Sequence, residues 1–238
     1  YRRSLTDADI RGLLSFYDIG ADEGGFEIGV RTALEAMLVS PHFIFRMEKE
    51  PEGVRAAGEA YQLNDADLAS RLSFFLWGRS PDDELVQIAN EGRLSNGEML
   101  EQQVRRMLED PRSEALATRF AASWLRMQDM DKVRPDAYWF PDFNEQLADD
   151  MRRETELFFE DLVREDRSLM ELFGADYTFA NERLARHYGI PGVVGESFRR
   201  VEYPDDTRRG LLGQGSVLLL TSMGNRTSPV LRGKWVME

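Results

Sequence analysis

"DFNEQLADDMRRETELFFEDLVRED" occupies residues 142–166, and how it folds decides the class of the whole chain. Phe143, Leu147, Met151, Phe158 and Leu162 recur at intervals of four or seven residues, while Asp and Glu fill many of the positions between them. That period places the apolar side chains on one stripe of an α-helix. The interleaved Arg152, Arg153 and Arg164 sit within reach of Glu154, Glu156, Glu160, Asp161 and Glu165. The acidic run is therefore expected to be a solvated helix face, not a metal-binding cluster.

The same grammar extends in both directions. "LTDADIRGLLSFYDIG" (5–20) offers Thr6 as N-cap with Asp9 three residues on, an apolar stripe of Ile10, Leu13, Leu14 and Tyr17, and Gly20 as its stop. "GFEIGVRTALEAMLVSP" (25–41) carries Phe26, Val30, Ala33, Leu34, Met37 and Leu38 and ends at Pro41. Asn64 or Asp65 caps "DADLASRLSFFLWG" (65–78), and "SPDDELVQIANEG" (80–92) reads as Ser80 at the cap, Pro81 in the first turn and Gly92 beyond the end. Further helices are expected over "NGEMLEQQVRRMLEDP" (96–111), "DPRSEALATRFAASWLRMQ" (110–128), "DRSLMELFG" (166–174), "FANERLARHYG" (179–189) and "RGLLGQGSVLLLTS" (209–222). In the last of these the glycines of "GQGS" let helices approach closely. Only "FRRVEY" (198–203) suggests a short strand. The expected fold is all-α, a multi-helix orthogonal or bundle-like array.

Little apolar content and scattered Gly and Pro make 49–62 the linker, with a small helical domain before it (1–48) and the main helical domain after it (63–209). Residues 210–238 begin a further domain. Ser228 and Pro229 open a helix that has barely started at Glu238, so the segment is expected to belong to a longer chain.

The net charge of −13 argues against nucleic-acid binding, since phosphates would be repelled overall, and suits a basic partner or plain solubility. The absence of cysteine excludes disulfides, thiolate nucleophiles, zinc–thiolate sites and covalent haem attachment within these residues. No run is long and apolar enough to span a bilayer.

Residues able to carry chemistry are few. His42 and His187 stand outside HExxH, ExxH and CxxCH spacing, each at a helix end where an imidazole meets free carbonyls. Arg46, Arg71, Arg226 and Arg232 lie in apolar or turn-rich motifs and need carboxylates or carbonyls to satisfy them. Asp67, Glu154 and Glu182 are the expected ion-pair partners, and a site for an acidic ligand is the sharper alternative. Trp77 and Trp124 are expected in the core, while Trp139, with Tyr138 in the loop "DAYWFPDF", is available to a ligand. No metal site is read.

Several long motifs carry a family resemblance: "FEIGVRTALEAMLVSPHFIFRME", "YQLNDADLASRLSFFLWGRSPDDELVQIANEGRL", "RRETELFFEDLVREDRSLMELFGADYTFANERLARHYGIPGV" and "RRGLLGQGSVLLLTSMGNRTSPVLRGKWVME". In this order the chain resembles the modular, cytochrome-c-associated proteins of planctomycete type, built from consecutive helical domains of unknown function. The family's motif positions fall on Ser40 to Phe43 and Arg46, on Arg71 to Ser73 and Trp77, on Asn181 and His187 to Gly189, and on Arg226 to Pro229, Arg232 and Gly233. The resemblance implies a haem c domain elsewhere in the full-length protein, no cofactor within this chain, a periplasmic or cell-envelope location, and no assigned catalytic residue.

Three functions remain open. The first is a helical scaffold that docks a basic cytochrome c domain. The second is an envelope enzyme, an oxidoreductase or hydrolase, whose pocket gathers His42, His187 and the motif arginines. The third is a carbohydrate-binding module using Trp139 and Tyr138.

Overall fold

The computed structural model describes residues 5–45, 48 and 60–237. The chain divides into two compact units, 1–106 and 107–238. Nearly all regular structure is helical, and among the described residues the sheets are two two-stranded ribbons.

In the first unit, α1 (Asp7–Gly24) and α2 (Phe26–Val39) form an antiparallel hairpin, followed by the single turn α3 (Pro41–Ile44). The capping box at Thr6 and Asp9 forms as expected. Gly20 does not end α1; the helix runs to Gly24 and turns at Gly25, which has φ 81°. Gly20 serves packing instead: a Cβ there would lie 2.5 Å from Thr32 Oγ1 and 2.8 Å from the Ile28 carbonyl oxygen. Gly29 does the same against the Tyr17 ring at 2.8 Å. The apolar stripes of the two helices face one another across a groove of about 270 Å³ but remain open, with Leu14 53% and Leu38 55% exposed.

Helices α4 (Asp65–Leu76), α5 (Asp83–Asn90) and α6 (Gly97–Glu109) follow, the last crossing the boundary between the units. Asn64 caps α4, accepting from the Asp67 N–H at 2.9 Å. The cap of α5 is Asp82, not Ser80: its carboxylate accepts from the Leu85 N–H at 3.1 Å and is gripped by both terminal nitrogens of Arg106, at 2.8 and 3.1 Å. A carboxylate at a helix N-terminus gains from the dipole, which a serine hydroxyl does only weakly. Trp77 is buried as expected, with the Arg106 guanidinium 5.5 Å from its ring centroid.

The second unit opens irregularly. Where a continuous helix was expected, Pro111–Ser113 forms a 3-10 turn, Leu116–Ala121 a π-helix, α7 (Ala122–Trp124) a short α segment and Met127–Lys132 another 3-10 stretch. Arg126 breaks the run in the left-handed conformation, φ 58°. An extra residue in a helical turn rotates everything after it by about 100°. Trp124 therefore stands 57% exposed and stacked on Phe120, not in the core.

The long helix α8 (Glu145–Arg164) is capped by Asn144 and buries Leu147, Met151, Phe158 and Leu162, as its period required. Against it lie β1 (Tyr177–Ala180), α10 (Glu182–Tyr188) and α11 (Gly215–Leu220), and α9 (Glu171–Gly174) and β2 (Arg199–Glu202) add to the same core. The strand expected near 198–203 is β2. Its antiparallel partner β1, register Tyr177↔Glu202, was hidden because a four-residue strand with three residues buried shows no polar–apolar alternation. A hairpin of β3 (Ser222–Met223) and β4 (Arg226–Thr227) precedes α12 (Pro229–Met237), whose Leu231 N–H is capped by the Ser228 hydroxyl at 3.3 Å. Most of the expected linker lies outside the described residues, as does Arg46. No helix among the described residues is long and apolar enough to cross a membrane.

Candidate functional site

One cavity of about 420 Å³ in the second unit collects most of the chemistry this chain offers, within the usual range for small-molecule sites. Its lining includes Trp139 and Phe140 from the loop before α8, Met151 of α8, His187 of α10, Arg208, Leu218 and Leu219 of α11, Arg226 of β4 and Arg232 of α12. Gly215 lines it too. A Cβ at Gly215 would fall 2.7 Å from the Tyr188 hydroxyl oxygen and 2.8 Å from Met151 Cγ, so "GQGS" does permit the close approach expected of it.

The arginines set the cavity's character. Arg232 donates to the Thr227 hydroxyl at 2.9 Å, and its Nε points at the Thr221 hydroxyl at 3.4 Å. Arg208 donates to the Gly213 carbonyl at 2.6 Å and lies 4.1 Å over the Tyr188 ring. Arg226 is exposed on the hairpin. None of the three forms an ion pair with a carboxylate among the described residues. On α8, by contrast, Arg152, Arg153 and Arg164 each hold one, at 3.1, 3.1 and 3.1 Å from Asp149, Glu156 and Glu160. The lining sets three guanidiniums against one carboxylate, Asp142. His187 stands at the wall, its imidazole held below the usual range, first by desolvation and then by the Arg208 charge, with Asp142 pulling the other way. It is therefore neutral at pH 7 and can both donate and accept a hydrogen bond. The neighbouring cavity is different. There Arg183 and Glu196 pair at 3.0 Å, and Arg186 and Glu182 at 2.7 Å, so both of its arginines already hold carboxylates.

Behind the cavity wall lies a residue that the acidic-face reading misplaced. Glu154 is fully buried, not solvated. It occupies the apolar stripe, three residues after Met151 and four before Phe158, so the signal was present in the spacing. Its carboxylate accepts from the Thr178 hydroxyl at 2.5 Å and the Tyr188 hydroxyl at 2.6 Å, while the Tyr188 oxygen accepts the Gly215 N–H at 2.6 Å. Burial pushes Glu154 up to about 7, against the pull of the two hydroxyls and of Arg208. Burial first, and then the Glu154 charge, drives the Tyr188 and Tyr203 phenols above their usual range.

The sign of the resulting pH effect is the reverse of the common carboxylate case. Between its ordinary value of 4.5 and about 7, Glu154 keeps a proton in the folded chain that it sheds when unfolded. Its contribution is therefore most favourable at or below pH 4.5 and is lost as pH rises through 7, a change of about 3 kcal/mol. The stability difference between the protein and Glu154→Gln, from urea unfolding at pH 5 and pH 8, is expected to shift by about that amount in favour of the variant at pH 8. A difference independent of pH would show that Glu154 is not held as described.

Of the residues singled out in the sequence, the cavity unites His187, Arg226, Arg232 and Trp139. Tyr138 stands beside Trp139 with ring centroids 5.1 Å apart, but it is 82% exposed and outside the lining. His42 lies half-buried on α3 in the first unit. Arg71, in that unit, is engaged by Glu48 through Nε at 2.7 Å, while Asp67, one of the expected carboxylate partners, accepts from the Asn64 amide at 2.6 Å. The other two expected carboxylate partners are also differently employed: Glu154 takes hydroxyls, and Glu182 takes Arg186 and the Gly195 N–H. Arg208 was missed because "DDTRRG" reads as an ordinary charged loop. Among the described residues no group of three or more His, Asp or Glu side chains is arranged to hold a metal ion.

A family model described as "PSD4: Protein of unknown function (DUF1592)" matches residues 63–190, more than half of the chain. The chain belongs to this family. A second model, "PSD5: Protein of unknown function (DUF1595)", matches residues 1–48. No curated protein and no solved structure matches the chain. The PSD4 match contains Glu154, His187 and Tyr188, whereas Arg208, Arg226 and Arg232 follow it in sequence. It also spans residues of both compact units.

Proposed function

We propose that the second unit of this PSD4 protein binds a small organic anion with an apolar body. The supporting observation is that, in a chain of net charge −13, three guanidiniums without carboxylate partners line one cavity whose other walls are aliphatic and aromatic. A guanidinium held only by hydroxyls and carbonyls keeps its charge for a ligand, and the fork of donors matches a carboxylate. The neutral His187 adds a hydrogen bond, and Trp139 and Phe140 give an aromatic ring a surface to lie on. Calorimetric titration with 2-naphthoate, against the uncharged 2-naphthamide of the same shape, tests this. The carboxylate is expected to bind at least about tenfold more tightly, the value of one charge-assisted hydrogen bond. Equal affinity for the two would remove the reading.

The charge balance supports a second reading, in which the acidic exterior docks a basic cytochrome c domain in an exported redox protein. Such an encounter is steered by charge, so its affinity is expected to fall steeply between low and physiological salt. Affinity indifferent to salt would eliminate it.

A further inference from the structure

Resting on the reading of the cavity as an anion site, we propose that the ligand and a proton are taken up together, the proton passing from solvent to Glu154. Glu154 does not line the cavity; it sits one residue behind it. Tyr188 is the link, since its hydroxyl donates to Glu154 at 2.6 Å while the Arg208 guanidinium lies 4.1 Å over its ring and faces the cavity. Arg208 thus serves two clients. It supplies the charge that favours the ionised carboxylate, and it is one of the three cations offered to a ligand.

An anion seated against Arg208 neutralises that support and places a second negative charge near a carboxylate with no access to water. In a low-dielectric interior neither effect is screened, and Glu154 answers by binding a proton. The groups facing Glu154 are Thr178 from β1, Tyr188 from α10, Tyr203 after β2, and Arg208 with the Gly215 backbone before and in α11. None is a second acid that would take the proton in its place, as both phenols are held above their usual range.

The hydrogen bonds accommodate both states. Tyr188 is committed as donor toward Glu154, because the Gly215 N–H fills its acceptor side at 2.6 Å. The Thr178 hydroxyl donates to the carboxylate, and a hydroxyl can equally accept from the protonated acid.

By linkage, a ligand that raises the proton affinity of Glu154 binds more tightly as pH falls. For an upward shift of about one pH unit, about half a proton is taken up per ligand at pH 7.5, and affinity rises about tenfold from pH 9 to pH 6. The experiment is 2-naphthoate titration of the full chain in two amine buffers of different ionisation enthalpy, the difference in heat giving the protons taken up. His187 shares the cavity and is the rival acceptor, so Glu154→Gln and His187→Gln are both measured. Uptake that vanishes in Glu154→Gln and persists in His187→Gln supports the proposal. Uptake that persists in Glu154→Gln, or naphthoate binding without uptake, overturns it while leaving the anion site standing. No naphthoate binding at all overturns the anion site and this inference together. Infrared difference spectra of the unaltered protein keep the test independent of the variants' folding. Naphthoate is expected to raise a protonated-carboxyl C=O band, and a spectrum without that band refutes the coupling.

Discussion

Replacing Phe158 with alanine is expected to destabilise the second unit by about 3–5 kcal/mol. The ring is fully buried at the middle of α8, 5.7 Å from the Tyr177 ring, and it belongs to the cluster formed by Leu147, Met151, Leu162 and Leu184. Truncation removes the transfer free energy of an aromatic side chain and leaves a hole walled by a helix and a β-ribbon, neither of which can close it cheaply. Trp124 is the contrasting case. It has more surface to lose, yet it is 57% exposed, and Trp124→Ala is expected to cost no more than about 1 kcal/mol. Urea denaturation followed by circular dichroism measures both. A larger loss from Trp124→Ala than from Phe158→Ala would contradict the placement of the core.

The double substitution Arg226→Ala with Arg232→Ala is expected to weaken 2-naphthoate binding by roughly 100-fold or more, as two charge-assisted contacts are lost. Binding of 2-naphthamide should barely change, because its contacts are with the apolar walls. Arg232 also ties β4 to α12 through Thr227, so an unchanged circular dichroism spectrum is needed to separate recognition from folding. Naphthoate affinity unaltered in a folded double variant would take the arginines out of the site and leave the cavity without a reason for its charge.

Much of this was legible in the residues. Thr6, Asn64 and Ser228 each carry out the capping role read from their side chains, because a cap needs only a hydrogen bond two or three residues away. The spacing from Leu147 to Leu162 identified the buried face of α8 for the same reason. Local rules failed where another part of the chain intervened. Arg106 drew the α5 cap to Asp82, and the π-helix at Leu116–Ala121 turned Trp124 outward.

Glu154 shows the division most clearly. Its place on the stripe was visible, but charge composition argued it onto the solvated face, since an isolated carboxylate is costly to bury. What partly offset that cost were two hydroxyls supplied 24 and 34 residues later, from Thr178 and Tyr188. By itself the sequence determined that this protein is helical, where most helices begin, and which of their faces are apolar, because those properties arise from contacts within a few residues. Only the tertiary structure decided that Arg208, Arg226, Arg232 and His187 share one cavity and that a buried acid stands behind it. Such an arrangement depends on how distant segments pack, which no local period encodes.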